Sequence, residues 1–176
     1  MATIRLNTIP NLVRDDIYAV LVDRGTMTSF HWMFYVPNAQ DQGYRFHLVN
    51  TRPIGSANTV DWYYDSGPWS PASSTSSAVY CRIGSLSTIP CDIATLDSYF
   101  RQINTRICPQ KQAEQERGRC GCRVWFKEAV RVLHDSAAGF IVNCPNEDML
   151  EIELKKFAFA AAIQHVKAYQ ISEVST

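Results

Sequence analysis

With 176 residues, 46% of them apolar and 19% charged, the chain is long and apolar enough to build one core, which we expect to span 1–176 as a single domain. Seventeen basic and seventeen acidic residues cancel, and no basic block stands out, which argues against nucleic acid as a partner. Positions 1–13 hold no continuous apolar segment of the secretory kind, and no apolar run approaches bilayer length. The expectation is a cytoplasmic chain with no membrane span and six reduced cysteines at positions 81, 91, 108, 120, 122 and 144.

In chain order, Thr3–Leu6 opens as a strand and Asn7–Asp16 connects it onward. Ile17–Val22, rich in β-branched and aromatic residues, reads as a strand, and Arg24–Thr28 supplies a turn around Gly25. Ser29–Val36 and Tyr44–Asn50 are two further strands, joined as a hairpin through the polar loop Pro37–Gly43. Arg52–Ser76 reads as irregular, with the aromatic runs Trp62–Asp65 and Gly67–Pro71. Ala78–Ile83 is a strand. Thr95–Ile103 suits a helix capped by Thr95, with Leu96, Tyr99, Phe100 and Ile103 inside. The polar stretch Pro109–Arg117 leads to a glycine-bearing turn, Gly118–Gly121. From Cys122 a helix follows, its apolar face carrying Trp125, Phe126, Ala129, Val132 and Leu133. Asn146–Tyr169 reads as a long final helix capped by Asn146. Strands and helices in this order give an α+β domain.

The candidate chemistry rests on cysteine and histidine. A thiol in the first helical turn feels unpaired backbone N–H groups and the positive end of the helix dipole, and both favour the thiolate. Of four histidines, His31 and His47 lie in the hairpin strands. If Val36 pairs with Tyr44, His31 falls opposite Val49 and His47 two residues back on the same face, so the imidazoles are neighbours. Packing the Cys122 helix on that face would give a thiolate–imidazole pair with a second histidine to orient it. The bland alternative is a structural histidine and a cysteine acting as a small hydrophobe. A zinc site from His31, His47, Cys120 and Cys122 has suitable ligand types but lacks a C-x-x-C knuckle, so no metal and no cofactor is expected. Trp62, Tyr64 and Trp69 could wall a substrate pocket or cap the core.

The segments FHWMFYV and GYRFHLVN, followed by a cysteine opening a helix, resemble the lecithin retinol acyltransferase-like thiol enzymes of the circularly permuted papain-like group. The resemblance implies a small antiparallel sheet packed against helices. It also implies acyl transfer or hydrolysis through a cysteine thioester, with Cys122 as nucleophile, His31 as base and His47 as the orienting partner. Gly121, Arg123 and Val124 stand where that family places asparagine, glutamate and histidine, which leaves a catalytically inactive binding module on the same fold as the alternative. The expected substrate is a small soluble ester, thioester or amide, small-molecule or peptidyl; the sequence leaves the oligomeric state open.

Overall fold

The structure is a computed structural model. It describes residues 7–8, 12–39, 42–50, 62–76, 78–88, 91–105, 121–136 and 141–175. The expected strand Thr3–Leu6, the polar stretch Pro109–Arg117, Gly118, and the cysteines at 108 and 120 lie outside them.

The strands are β1 (Asn7–Thr8), β2 (Asp16–Asp23), β3 (Phe30–Ala39), β4 (Gln42–Val49), β5 (Tyr63–Trp69), β6 (Ala78–Ser85) and β7 (Lys167–Ile171). They form one sheet in the order β1-β7-β6-β2-β3-β4-β5. The helices among the described residues are α1 (Ile93–Arg101), α2 (Cys122–His134) and α3 (Glu147–Gln164). The class is α+β. The sheet is mixed rather than antiparallel as expected, because β6 and β7 run parallel, Val79 beside Ala168 and Cys81 beside Gln170. A parallel pair needs a long crossover, and here the chain between the two strands contains all three helices.

β2 shows why the centre of the sheet is continuously apolar. Ile17, Ala19 and Leu21 enter one core, Tyr18 and Val20 another, and all five are fully buried. A strand covered on both faces has no polar side to offer. The turn after it is closed locally: Asp23 Oδ1 accepts from the Gly25 and Met27 amides at 3.0 and 3.1 Å, with Gly25 at φ 86.

All three helices pack on one face of the sheet. Phe34 stacks on Phe126 at 4.3 Å between ring centroids and lies 4.8 Å from Phe100, while Trp32 meets Phe126 at 5.4 Å. Leu96 of α1 and Leu150, Leu154 and Ala158 of α3 complete this core. The opposite face carries a smaller cluster of Tyr18, Val20, Met33, Tyr35, Ala78 and Tyr80.

Asp92, rather than Thr95, caps α1: its carboxylate accepts from the Thr95 amide at 2.7 Å. Asn146 caps α3 as expected, accepting from the amides of Asp148 and Met149. That helix ends at Gln164 instead of running to Tyr169. His165 takes φ 51 and turns the chain, and Lys167–Ile171 continues as β7.

Helices α2 and α3 are joined by a seam of charge. Lys127, only 2% exposed, pairs with Asp148 at 2.5 Å and Glu151 at 2.8 Å. Arg123 reaches Glu151 at 2.7 Å and Arg131 reaches Glu147 at 2.8 Å. Burial pushes the Glu151 carboxyl up, but hydrogen bonds from Lys127 and Lys155 and the Arg123 charge outweigh it and hold the group at about 2.

Candidate acid–base site

The site starts from strand register. β3 and β4 pair Val36 with Tyr44 and Met33 with His47, which sets His31 diagonal to His47 on one face. β5 then sets Asp65 directly opposite His47. The side chains form a chain: His31 Nε2 lies 2.7 Å from His47 Nδ1, and His47 Nε2 lies 3.0 Å from Asp65 Oδ2. Arg45, two residues from His47 on the same face, reaches Asp65 Oδ2 at 3.4 Å.

The hydrogen assignment follows from the end of the chain. A carboxylate only accepts, so His47 Nε2–H donates to Asp65. Neutral His47 then accepts at Nδ1, and His31 Nε2–H donates to it. This leaves the Nδ1 lone pair of His31 as the terminal base, and that atom is buried with no hydrogen-bond partner. Burial, reinforced by the neighbouring His47, Arg24 and Arg45 charges, lowers the His31 pKa to about 3. His47 is lowered too: burial outweighs the upward pull of its Asp65 hydrogen bond. Both imidazoles are therefore neutral near pH 7, in the proton-accepting form.

Cys122 does begin α2, behind Gly121, which provides no side-chain cap. Its thiol is 6% exposed and belongs to the helix-side core with Trp32, Phe34, Phe46 and Leu48. Successive strand residues face opposite ways, so His31 and His47, which alternate with Trp32 and with Phe46 and Leu48, stand on the other face. The structure brings the two histidines together and adds Asp65; the sheet lies between them and Cys122.

The aromatic residues divide in the same way. Trp62 lies beside Gly121, the residue that caps α2, where an added Cβ would sit 3.5 Å from its ring. Tyr64 packs on Trp125 at 5.6 Å, donates its hydroxyl to Asp97 at 2.6 Å, and lies under the Arg101 guanidinium. Trp69 is on the opposite face, edge-on to Tyr35 at 5.3 Å. It borders an open depression of about 340 Å³ with Asn38, Gln42 and Tyr44. Seven residues of extended β3 separate Asn38 from His31, about 23 Å, so this depression and the histidines are distinct places.

Zinc ligation by His31 and His47 would have to replace the hydrogen bond that occupies their facing nitrogens, with Cys122 across the sheet and Cys120 outside the described residues. Among the described residues no group of three or more potential ligands gathers to hold a metal.

Asp65 is the member of this hydrogen-bonded chain that sequence reasoning missed. Its signal was there: a carboxylate two residues after Tyr63 in an alternating aromatic run beside a histidine strand. Comparison with protein-family models, with curated proteins and with solved structures finds no match for this chain. The fold and site define an α+β protein with a His–His–Asp hydrogen-bonded chain on the face of the sheet opposite its helices.

Proposed function

We propose that this protein catalyses hydrolysis or acyl transfer on a small ester, thioester or amide, with His31 as general base and His47 and Asp65 as its positioning partners. The observation that carries the proposal is the ordered chain from Asp65 through His47 to the unpartnered His31 Nδ1. The nucleophile, water or an acceptor hydroxyl, gives its proton to His31 Nδ1 as it attacks the acyl carbon. The resulting imidazolium is supported through His47 by the Asp65 carboxylate, and the same proton passes to the leaving group as the acyl bond breaks.

A second reading keeps Cys122 as an acyl-carrying nucleophile in a circularly permuted papain-like relative. One observation favours it. Trp62 lies beside Gly121, the cap of α2, and the next residue, Tyr63, pairs with Val49 at the His31 end of the strands. Thiol and imidazole thus share one end of the sheet, although on opposite faces. Four cysteines, at 81, 91, 122 and 144, are buried and free, which supports a reducing compartment such as the cytoplasm.

Incubation with a panel of acyl thioesters, esters and peptide amides, followed by intact-mass and turnover measurements, tests both. Turnover lost in His31→Ala and kept in Cys122→Ala supports the first reading. An acyl adduct that disappears in Cys122→Ala supports the second. No turnover and no adduct on any of the three classes overturns both and leaves a binding module.

A further inference from the structure

At the end of the sheet remote from the histidines, the β3–β4 hairpin and the end of β5 enclose the open depression of about 340 Å³. That volume falls within the range of small-molecule sites. β5 and the residue after it contribute Pro68, Trp69 and Ser70, and the hairpin contributes Asn38 and Gln42.

The indole is fixed from behind. It stands edge-on to Tyr35 at 5.3 Å and nearly parallel to Tyr80 at 6.5 Å, and both tyrosines are buried, 1% and 0% exposed. Tyr35 fits there because residue 43 is glycine: a Cβ at that position would come within 2.8 Å of the Tyr35 ring. Trp69 itself stays partly exposed. A ring held in place by its neighbours gives up little conformational entropy when a ligand settles on it.

The polar wall differs in kind. Asn38 and Gln42 are exposed on facing arms of the hairpin, and neither carboxamide has a hydrogen-bond partner among the described residues. Each offers two N–H donors and a carbonyl acceptor without charge. The Ser70 hydroxyl is already engaged, accepting from the Ala72 amide. Among the described residues that line the depression, none is charged.

These walls select the occupant by its chemistry. A phosphate or carboxylate would find no cation in them, and an organic cation would find no acid. A wholly apolar ligand would strip water from two carboxamides and leave them unpaired. A polyproline peptide docks between aromatic ridges, whereas Tyr44, the other ring at the depression, packs with the helix-side core. A nucleobase stacks on indole and bonds to amides, but the phosphates that accompany it in nucleotides would again meet no cation. A pyranose is neutral, with a C–H face for the ring and a rim of hydroxyls that both donate and accept. We propose that this depression binds a neutral sugar, with one pyranose face on the Trp69 indole and its hydroxyls bonded to the Asn38 and Gln42 carboxamides. The site is independent of the acid–base chemistry.

NMR titration of the intact, isotope-labelled chain with cellobiose, maltose and N,N′-diacetylchitobiose tests it, with adenosine and a proline oligopeptide alongside. The Trp69 indole N–H and the Asn38 and Gln42 side-chain amide signals should shift together with at least one disaccharide, with a Kd on the order of 1 mM. Asn38→Ala and Gln42→Ala should each raise that Kd about threefold, and together about tenfold, with thermal melts unchanged because both positions are exposed. No shift at about 50 mM sugar, shifts with adenosine or the proline peptide but with none of the sugars, or an unchanged Kd in the folded variants would overturn the inference.

Discussion

His31 Nε2 and His47 Nδ1 stand 2.7 Å apart across the β3–β4 ladder. The contact exists because Met33 pairs with His47, which makes His31 the diagonal neighbour. It joins two imidazoles in one hydrogen-bonded chain that ends on Asp65.

Stability should depend on this pair in mildly acid solution. The folded His31 pKa, about 3, lies below the ordinary histidine value of 6.5. The unfolded chain therefore binds more protons below pH 6.5, and stability present above that value is lost as pH falls toward 3. The loss approaches ~1.4 kcal/mol per pH unit for each histidine at most, and His47 adds to it in the same direction. Glu151, held at about 2 from an ordinary 4.5, contributes its own loss only below about 4.5. Denaturant midpoints compared at about pH 6.5 and about pH 5 isolate the histidines. His31→Phe should flatten the dependence in that window; an unchanged slope would show that His31 titrates normally.

Asp65→Asn should leave the fold intact, because the side chain is 40% exposed and stands on the edge strand β5. An asparagine no longer fixes the His47 tautomer or balances a proton on His31. Turnover on whichever acyl substrate is found should fall by ~10²–10⁴ with KM little changed. Steady-state kinetics on the variant would decide it, and a loss confined to KM would assign Asp65 to substrate binding instead.

The α2–α3 seam predicts an asymmetry. Glu151→Leu with Asp148→Asn leaves the buried Lys127 ammonium without a carboxylate and should cost ~3–5 kcal/mol, whereas adding Lys127→Met to the pair should bring stability back towards neutral. Urea denaturation of both variants measures the difference. Equal destabilisation would mean that the pair contributes net attraction beyond its desolvation.

Gly43→Ala should be severely destabilising although glycine here sits in a strand. A Cβ at this position would collide with the Val36 carbonyl oxygen and come within 2.8 Å of Pro37 Cα, so backbone atoms would have to move. A loss above ~2 kcal/mol is expected. A thermal melt close to that of the parent would mean that the hairpin opens at little cost.

Much of the sheet was legible in the sequence. The pairing of Val36 with Tyr44 follows from the two aromatic strands and the polar loop between them, and β3 and β4 keep that register while extending into the loop to Ala39 and Gln42. β5 was obscured by Gly67 and Pro68, which suit the edge of a sheet, where an N–H can be absent. β7 was obscured because Lys167–Ile171 follows an alanine-rich helix without glycine or proline. The stop comes from His165 in a left-handed conformation that side chains other than glycine and asparagine seldom adopt. The separation of Cys122 from the histidines has a similar origin. Trp32, Phe34 and Val36 alternate with His31, Met33 and Tyr35, and both sets are largely apolar. Only the packing of Phe126 and Phe100 on Phe34 decides which set the helices cover.

The place of β7 carries a consequence for how the chain is made. β1 is bonded to β7, and β7 lies between β1 and β6. On a ribosome, β2 to β6 can pair as each emerges, yet the outer edge of β6 stays open until α1, α2 and α3 have all been translated. That edge is a row of unpaired amides and carbonyls, the surface on which nascent chains pair wrongly with one another. Disruption of β7, for example by proline at Ala168, should thus show first as aggregation during synthesis, with the histidine chain on the far strands already in place.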